Sequence, residues 1–159
     1  MDGINVIIRE AKEGEWGKVP PLHRDEGEEY MKHSLERNKK RFEKILPGRR
    51  IVLFAEQDGK VIGSLQLQLF SGNPELANGK TIAHFDDLVV DPDFRSNGIG
   101  KQLMAQGERI LREKGFTSVT LGIRYGDRYG SLKQFYEKQG YGLLGPRTDN
   151  AGAIFGKGI

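Results

Sequence analysis

At 159 residues, with 36% hydrophobic and 30% charged content, the chain is long enough for one domain with a real core. Its 25 basic and 22 acidic side chains leave a formal charge of +3, and the two signs are interspersed, which argues against a nucleic-acid partner. There is no cysteine, which excludes disulfides, thiolate zinc sites and a cysteine nucleophile. No run approaches the roughly 18 apolar residues of a membrane span, and the start MDGINVIIREAKEG lacks the apolar core of a signal segment, so a cytoplasmic protein with no membrane partner is expected.

Residues 5–9 are β-branched and read as a first strand. A helical turn at 13–16 stops before Pro20 and Pro21. Residues 25–46 then carry a helical stripe of Met31, Leu35, Asn38, Phe42 and Ile45, with a polar interruption at Asn38 and a stop at Pro47-Gly48. The basic residues of this helix, Lys32 to Lys44, read as a solvated face. Two strands, 51–56 and 61–70, flank Asp58-Gly59, a hairpin signal because both turn positions favour positive φ. Leu65, Leu67 and Leu69 alternate with Gln66 and Gln68, so one face of the second strand is expected to be wet or to line a pocket.

Residues 71–80 form a turn-rich loop. A strand at 81–90 leads through Pro92 into a helix at 98–114, whose apolar face is Ile99, Leu103, Ile110 and Leu111, with Gly115 as its stop. Residues 117–123 read as a strand and 129–139 as a short helix with Leu132, Phe135 and Tyr136 inward. Short strands at 141–144 and 153–155 close the chain. The reading is an α/β (α+β) single domain over residues 1–159, a central mixed sheet with helices on both faces.

The turn between the strand at 81–90 and its helix, Arg95-Ser96-Asn97-Gly98-Ile99-Gly100-Lys101, is suited to phosphate. A helix start offers unpaired N–H groups, and glycine lets a bulky anion approach the backbone. Two familiar phosphate motifs fail at named positions. A nucleotide-triphosphatase loop needs glycine at Arg95 and Ser or Thr at Gln102, and the dinucleotide fingerprint needs glycine at Leu103.

With its surroundings, the turn reads L-V-V-D-P-D-F-R-S-N-G-I-G-K-Q-L from Leu88 to Leu103, and a second stretch reads L-K-Q-F-Y-E-K-Q-G-Y from Leu132 to Tyr141. Both resemble the signature motifs of the GNAT superfamily of N-acetyltransferases, and the element order extends the resemblance over essentially the whole chain. The resemblance implies the acyl-CoA N-acyltransferase fold and acetyl-CoA as co-substrate, with no metal. It further implies a bulged signature strand, splayed from its neighbour, whose backbone at Leu88, Val89 and Val90 pairs with the pantetheine. The N–H groups of Arg95, Ser96, Asn97, Gly98, Ile99, Gly100 and Lys101 would hold the pyrophosphate, aided by the charges of Arg95 and Lys101.

By the same resemblance Tyr136 would sit near the thioester sulfur and protonate the departing thiolate; otherwise it is a core aromatic. Tyr129 stands where the family often has a cofactor-contacting asparagine, with Arg128 and Ser131 as substitutes. The implied reaction needs an uncharged amine, so some group must take its proton. Asp86 and Asp87 precede the splay, and one of them would face the acceptor; ion pairing or capping would explain them equally. The stretch H-F-D-D-L-V-V is similar to one in glucosamine-phosphate acetyltransferases. His84 could serve as base or satisfy a local hydrogen bond, and water could replace either. The expectation is an N-acetyltransferase acting on a primary amine of a small molecule or a protein. The alternative is a non-catalytic acyl-CoA-binding sensor. Many members of the family form homodimers.

Overall fold

The computed structural model describes residues 5–159. Their frame is a seven-stranded sheet: β1 (Ile7–Glu10), β2 (Arg50–Gln57), β3 (Lys60–Gln68), β4 (Ile82–Val90), β5 (Ser118–Arg124), β6 (Gly142–Pro146) and β7 (Gly152–Gly158). The spatial order is β1-β2-β3-β4-β5-β7-β6, antiparallel throughout except for the parallel β4–β5 pair. Three α-helices accompany it: α1 (Glu28–Phe42), α2 (Ile99–Glu113) and α3 (Tyr129–Glu137). The expected strand at 5–9 is β1, one to two residues later, and residues 1–4 lie outside the described part.

β2 shows why helices cover both faces. Ile51, Leu53 and Ala55 point into one apolar cluster with α2, while Val52 and Phe54 point into another with Phe42 of α1, Val19 and Leu22. Alternate side chains of a strand face opposite ways, so a strand apolar at every position needs a cover on each side. The β2–β3 turn has φ of 50° at Asp58 and 79° at Gly59, as its sequence predicts.

Two expectations need correction. The helix foreseen over 25–46 is only Glu28–Phe42, preceded by a separate 3-10 segment, Pro20–Glu26. Gly27, at φ 97°, breaks the two apart, and Pro47 disfavours helical geometry before it. Of the two alternatives for the glutamine face of β3, wet or lining a pocket, the wet one fails at Gln66, while Gln68 is half-buried. Gln66 is fully buried beneath α1, where its amide donates to Asn38 Oδ1 at 2.7 Å and its carbonyl accepts from Arg50 at 2.8 Å. The polar break at Asn38 in the helical stripe is the partner of that glutamine.

α2 approaches the sheet closely at Gly63 of β3. A Cβ there would stand 3.1 Å from Ile99 and 3.2 Å from Leu103, both buried. The missing side chain sets the height of the α2 N-terminus above the sheet. Gly63→Val should therefore lower stability by about 1–3 kcal/mol through overpacking. A urea midpoint equal to that of the wild type would show that α2 is not held by this contact.

Candidate active site

The parallel β4–β5 ladder runs from Ile82↔Ser118 to Phe85↔Leu121 and then stops, although both strands continue. The cause lies in β4. Between the pairs Gln66↔Asp86 and Ser64↔Val89, the two residues Asp87 and Leu88 oppose the single Leu65. Asp87 has φ of 50°, a left-handed conformation that costs a non-glycine residue roughly 1–3 kcal/mol. The bulge turns the second half of β4 away from β5 and opens a cleft.

At the open edge the backbone directions can be read. Asp91 N–H donates to the Ile62 carbonyl at 2.8 Å, and strand alternation turns Val89 the same way, into the β3 ladder. Val90 faces the open side, where its carbonyl accepts from Arg95 Nε at 3.0 Å.

Two cavities flank the bulge. The larger, about 580 Å³, is lined by His84, Asp86, Arg37 and Arg41 on one side and by Arg124 and Arg147 on another. The smaller, about 210 Å³, runs along Val89, Val90, Arg95, Arg128 and Leu132. Tyr30, Asp87, Leu88 and Tyr136 border both, so the cavities meet over the bulge. Burial pushes the Tyr136 phenol up to about 12, and among the described residues nothing hydrogen-bonds its hydroxyl. It stays protonated at the junction.

The acidic pair is embedded in cations. Asp86 Oδ2 lies 3.1 Å from Arg41 and 3.3 Å from the buried Arg50. Asp87 lies 3.2 Å from His23 Nε2, 3.6 Å from Arg37 and 3.9 Å from Arg41. Burial raises the Asp87 carboxyl, but the contact with His23 and the charges of Arg37 and Arg41 more than offset this and hold it below the usual carboxylate range. His23 is itself bracketed: Glu26 bonds its Nδ1 at 2.5 Å, and its ring packs 4.9 Å from that of Tyr30. Burial pulls the His23 imidazolium down, but Asp87 and Glu26 bring it above its ordinary value.

These cations were not legible as site residues. Arg37 and Arg41 belong to a run that reads as a solvated face; the structure turns both inward, one helical turn apart, because Asp86 and Asp87 lie beneath them. Buried Arg37 Nε and Arg41 Nη1 have no hydrogen-bond partner among the described residues.

His84 has a defined tautomer. Thr120 donates its hydroxyl hydrogen to the Leu76 carbonyl at 2.8 Å, so the bond of 2.8 Å between Thr120 Oγ1 and His84 Nδ1 needs its hydrogen from the histidine. Nε2 is left with the free lone pair. Burial lowers the His84 pKa, and the ring is neutral at neutral pH.

The glycine turn is shaped by its own backbone and side chains. Ser96 and Gly98 take φ of 65° and 75°, and left-handed residues in such a turn curl the backbone into a concavity of N–H groups. Open space surrounds the Cβ position of Gly98, so its conformation, not crowding, calls for glycine. Ile99 is buried, Lys101 is exposed, and Asn97 spends its amide on the Phe94 and Arg95 carbonyls, shaping the turn. The Arg95 guanidinium is paired with Asp25 at 2.5 and 3.2 Å. Tyr129 packs against Tyr125 with tilted rings 5.0 Å apart, and Arg128 rather than Tyr129 lines the smaller cavity. Tyr129 packs against the main apolar cluster instead.

A profile of the acetyltransferase (GNAT) family matches residues 16–141, which include the bulge, the glycine turn, the whole lining of the smaller cavity and the larger cavity's lining up to Tyr136, but not its Leu144–Thr148 wall. The chain belongs to this family. A glucosamine 6-phosphate N-acetyltransferase from Trypanosoma brucei brucei is 34% identical over 84 residues, covering 52% of each protein. A mycothiol acetyltransferase from Cellulomonas flavigena is 35% identical over 71 residues, 43% of this chain and 20% of that one. The chain thus spans about half the length of the first of these curated relatives and a fifth of the second. Among solved structures, an N-acetyltransferase from Thermoplasma acidophilum in complex with coenzyme A superposes with a TM-score of 0.77 at 19% identity, covering 98% of this chain and all of that one, a likeness of fold. The bulged, splayed strand is the GNAT expectation realised. Among the described residues no helix is long and apolar enough to cross a membrane.

The buried pair predicts a pH profile of stability. His23, raised in the folded state, contributes fully below about pH 6.5 and loses that contribution as pH rises through its folded value. Asp87, depressed in the folded state, contributes above about pH 4 and loses it as pH falls through its folded value. The melting temperature should plateau between these limits, and His23→Gln should flatten the alkaline decline. An unchanged alkaline decline in that variant would sink the assignment.

Proposed function

We propose that this chain transfers an acetyl group from acetyl-CoA to a primary amine by direct attack on the thioester. The observation that carries the reading is the meeting of two cavities at Leu88 and Tyr136, beside the open edge of β4. The donor would lie along the smaller cavity and the acceptor in the larger.

The residues present fit the donor. The curled N–H groups of the Ser96–Gly98 turn and the N-terminus of α2 would take the pyrophosphate, and the free edge at Val90 would pair with the pantetheine. Acetyl-CoA supplies an activated acyl carbon and a thiolate leaving group. The Val90 N–H, on the open edge where Val89 is not, would polarise the carbonyl oxygen as charge develops there. His84 Nε2 would accept the amine proton, a role its tautomer and neutrality support. Asp87, held as an ion-paired anion, is poorly suited to that task, and Asp86 is clamped by two arginines; both serve better in holding the cleft's walls. Tyr136, kept protonated by burial, would hand its proton to the departing sulfur.

In this assignment His84 must be unprotonated, so kcat/KM should fall as pH drops through a value below 6.5. His84→Gln should remove that acid limb and lower kcat about 100-fold. Tyr136→Phe should reduce kcat at least 10-fold while the dissociation constant for CoA stays unchanged; an unaltered kcat removes the proposed role. Asp25 competes with phosphate for Arg95, so Asp25→Asn should tighten CoA binding several-fold by calorimetry, and weaker binding would contradict the competition. Thiol release over a panel of amines tests the whole reading. Tight CoA binding with turnover of no amine would leave the acyl-CoA sensor in its place.

A further inference from the structure

The larger cavity is walled by four arginines, Arg37, Arg41, Arg124 and Arg147, against three acids, Glu75, Asp86 and Asp87. Two of those acids already answer the α1 arginines. The far wall is different. Arg124, at the end of β5, has no carboxylate within ion-pair distance among the described residues, although its charge acts on the nearby Asp149. Arg147, just past β6, is held at 2.9 Å by Asp149, which is half exposed and also accepts from Ala151 N–H.

The stem of Arg147 is seated by the backbone. A Cβ at Gly152 would stand 2.9 Å from Arg147 Cδ, and one at Gly122 would stand 3.8 Å away. Gly152 is paired in register with Arg124, so a trough without side chains brings the two arginines to one end of the cavity. Thr148 adds a hydroxyl to the same wall. The charge of Arg147 reaches across to His84, as does that of Arg41. A second cation alone, such as a polyamine, would enter this field against repulsion.

Resting on the acetyl-transfer reading, we infer that the acceptor is an amine that carries its own anionic group, a phosphate or a carboxylate, and that Arg124 and Arg147 bind that group at the end of the cavity away from α1. Planar guanidinium forks match both oxyanions, and the amine of such an acceptor would be directed toward His84 and Leu88. The anion would answer Arg124, which has no ion-pair partner among the described residues, and share Arg147 with the half-exposed Asp149.

The test compares matched acceptors in a thiol-release assay: an amino sugar with its 6-phosphate, an α-amino acid with its amide, and a polyamine. The anionic member of at least one pair should exceed its uncharged partner about 10- to 100-fold in kcat/KM, the scale of a charge-assisted bond. Which pair responds separates phosphate from carboxylate. Arg147→Gln and Arg124→Gln should each erase most of that preference by raising KM, with unchanged CoA affinity certifying the fold. Preference for the uncharged or polycationic amines overturns the anion subsite while leaving acetyl transfer intact. Should no amine turn over, inorganic phosphate and acetate are titrated by calorimetry against wild type and Arg147→Gln. Binding lost in the variant keeps the subsite and overturns only the reaction; no binding overturns the subsite.

Discussion

Everything at the cleft depends on one left-handed residue in the middle of a sheet. Asp87, at φ 50°, makes two residues of β4 span the place of one in β3, and β4 then parts from β5. A strained backbone persists only when its surroundings over-determine it. Here the restraint is electrostatic: His23, Arg37 and Arg41 converge on the Asp87 carboxylate from two other elements. A buried carboxylate deprived of such partners would cost several kcal/mol, which exceeds the backbone strain that they hold in place. The ion pairs earn their position through shape rather than through net stability.

The same network ties the flanking elements to the cleft. The 3-10 segment Pro20–Glu26 is pinned by Arg24, which donates to Asp91 at 2.5 and 2.8 Å, and by Asp25, which pairs with Arg95. Its His23 reaches Asp87, so one short segment touches the bulge, the end of β4 and the glycine turn. Helix α1 is joined through Ser34, Asn38, Gln66 and Arg50, a continuous buried polar path that ends on Asp86. The α1 wall of the larger cavity and the 3-10 segment are thereby referred to the same two carboxylates. The proposed transfer needs this coupling, because donor and acceptor must meet within bonding distance at Leu88 and Tyr136.

The fold was legible where hydrophobic period and turn chemistry agree: the Asp58-Gly59 hairpin, the α2 stripe with its Gly115 stop, and the order of elements along the chain, with its mixed sheet covered on both faces. The bulge was legible only through resemblance, since nothing in H-F-D-D-L-V-V announces a left-handed aspartate. The arginines were hidden for a physical reason. A basic residue on a helix normally faces water, and the acids that draw Arg37 and Arg41 inward lie about fifty residues away in sequence. Arg124 and Arg147 meet only because β5 and β6 both flank β7, whose glycines admit the Arg147 stem. Gln66 misled for the opposite reason: its partner Asn38 sits on a distant helix, so the alternation of β3 read as a face either wet or lining a pocket.

The most direct test of the account is a crystal structure with CoA bound. It should show the pantetheine along the open edge of β4 with a hydrogen bond to Val90, the sulfur beside Tyr136, the pyrophosphate in the Ser96–Gly98 concavity, and Arg95 released from Asp25. CoA bound elsewhere, with the β4–β5 cleft empty and Asp25 still on Arg95, would contradict it.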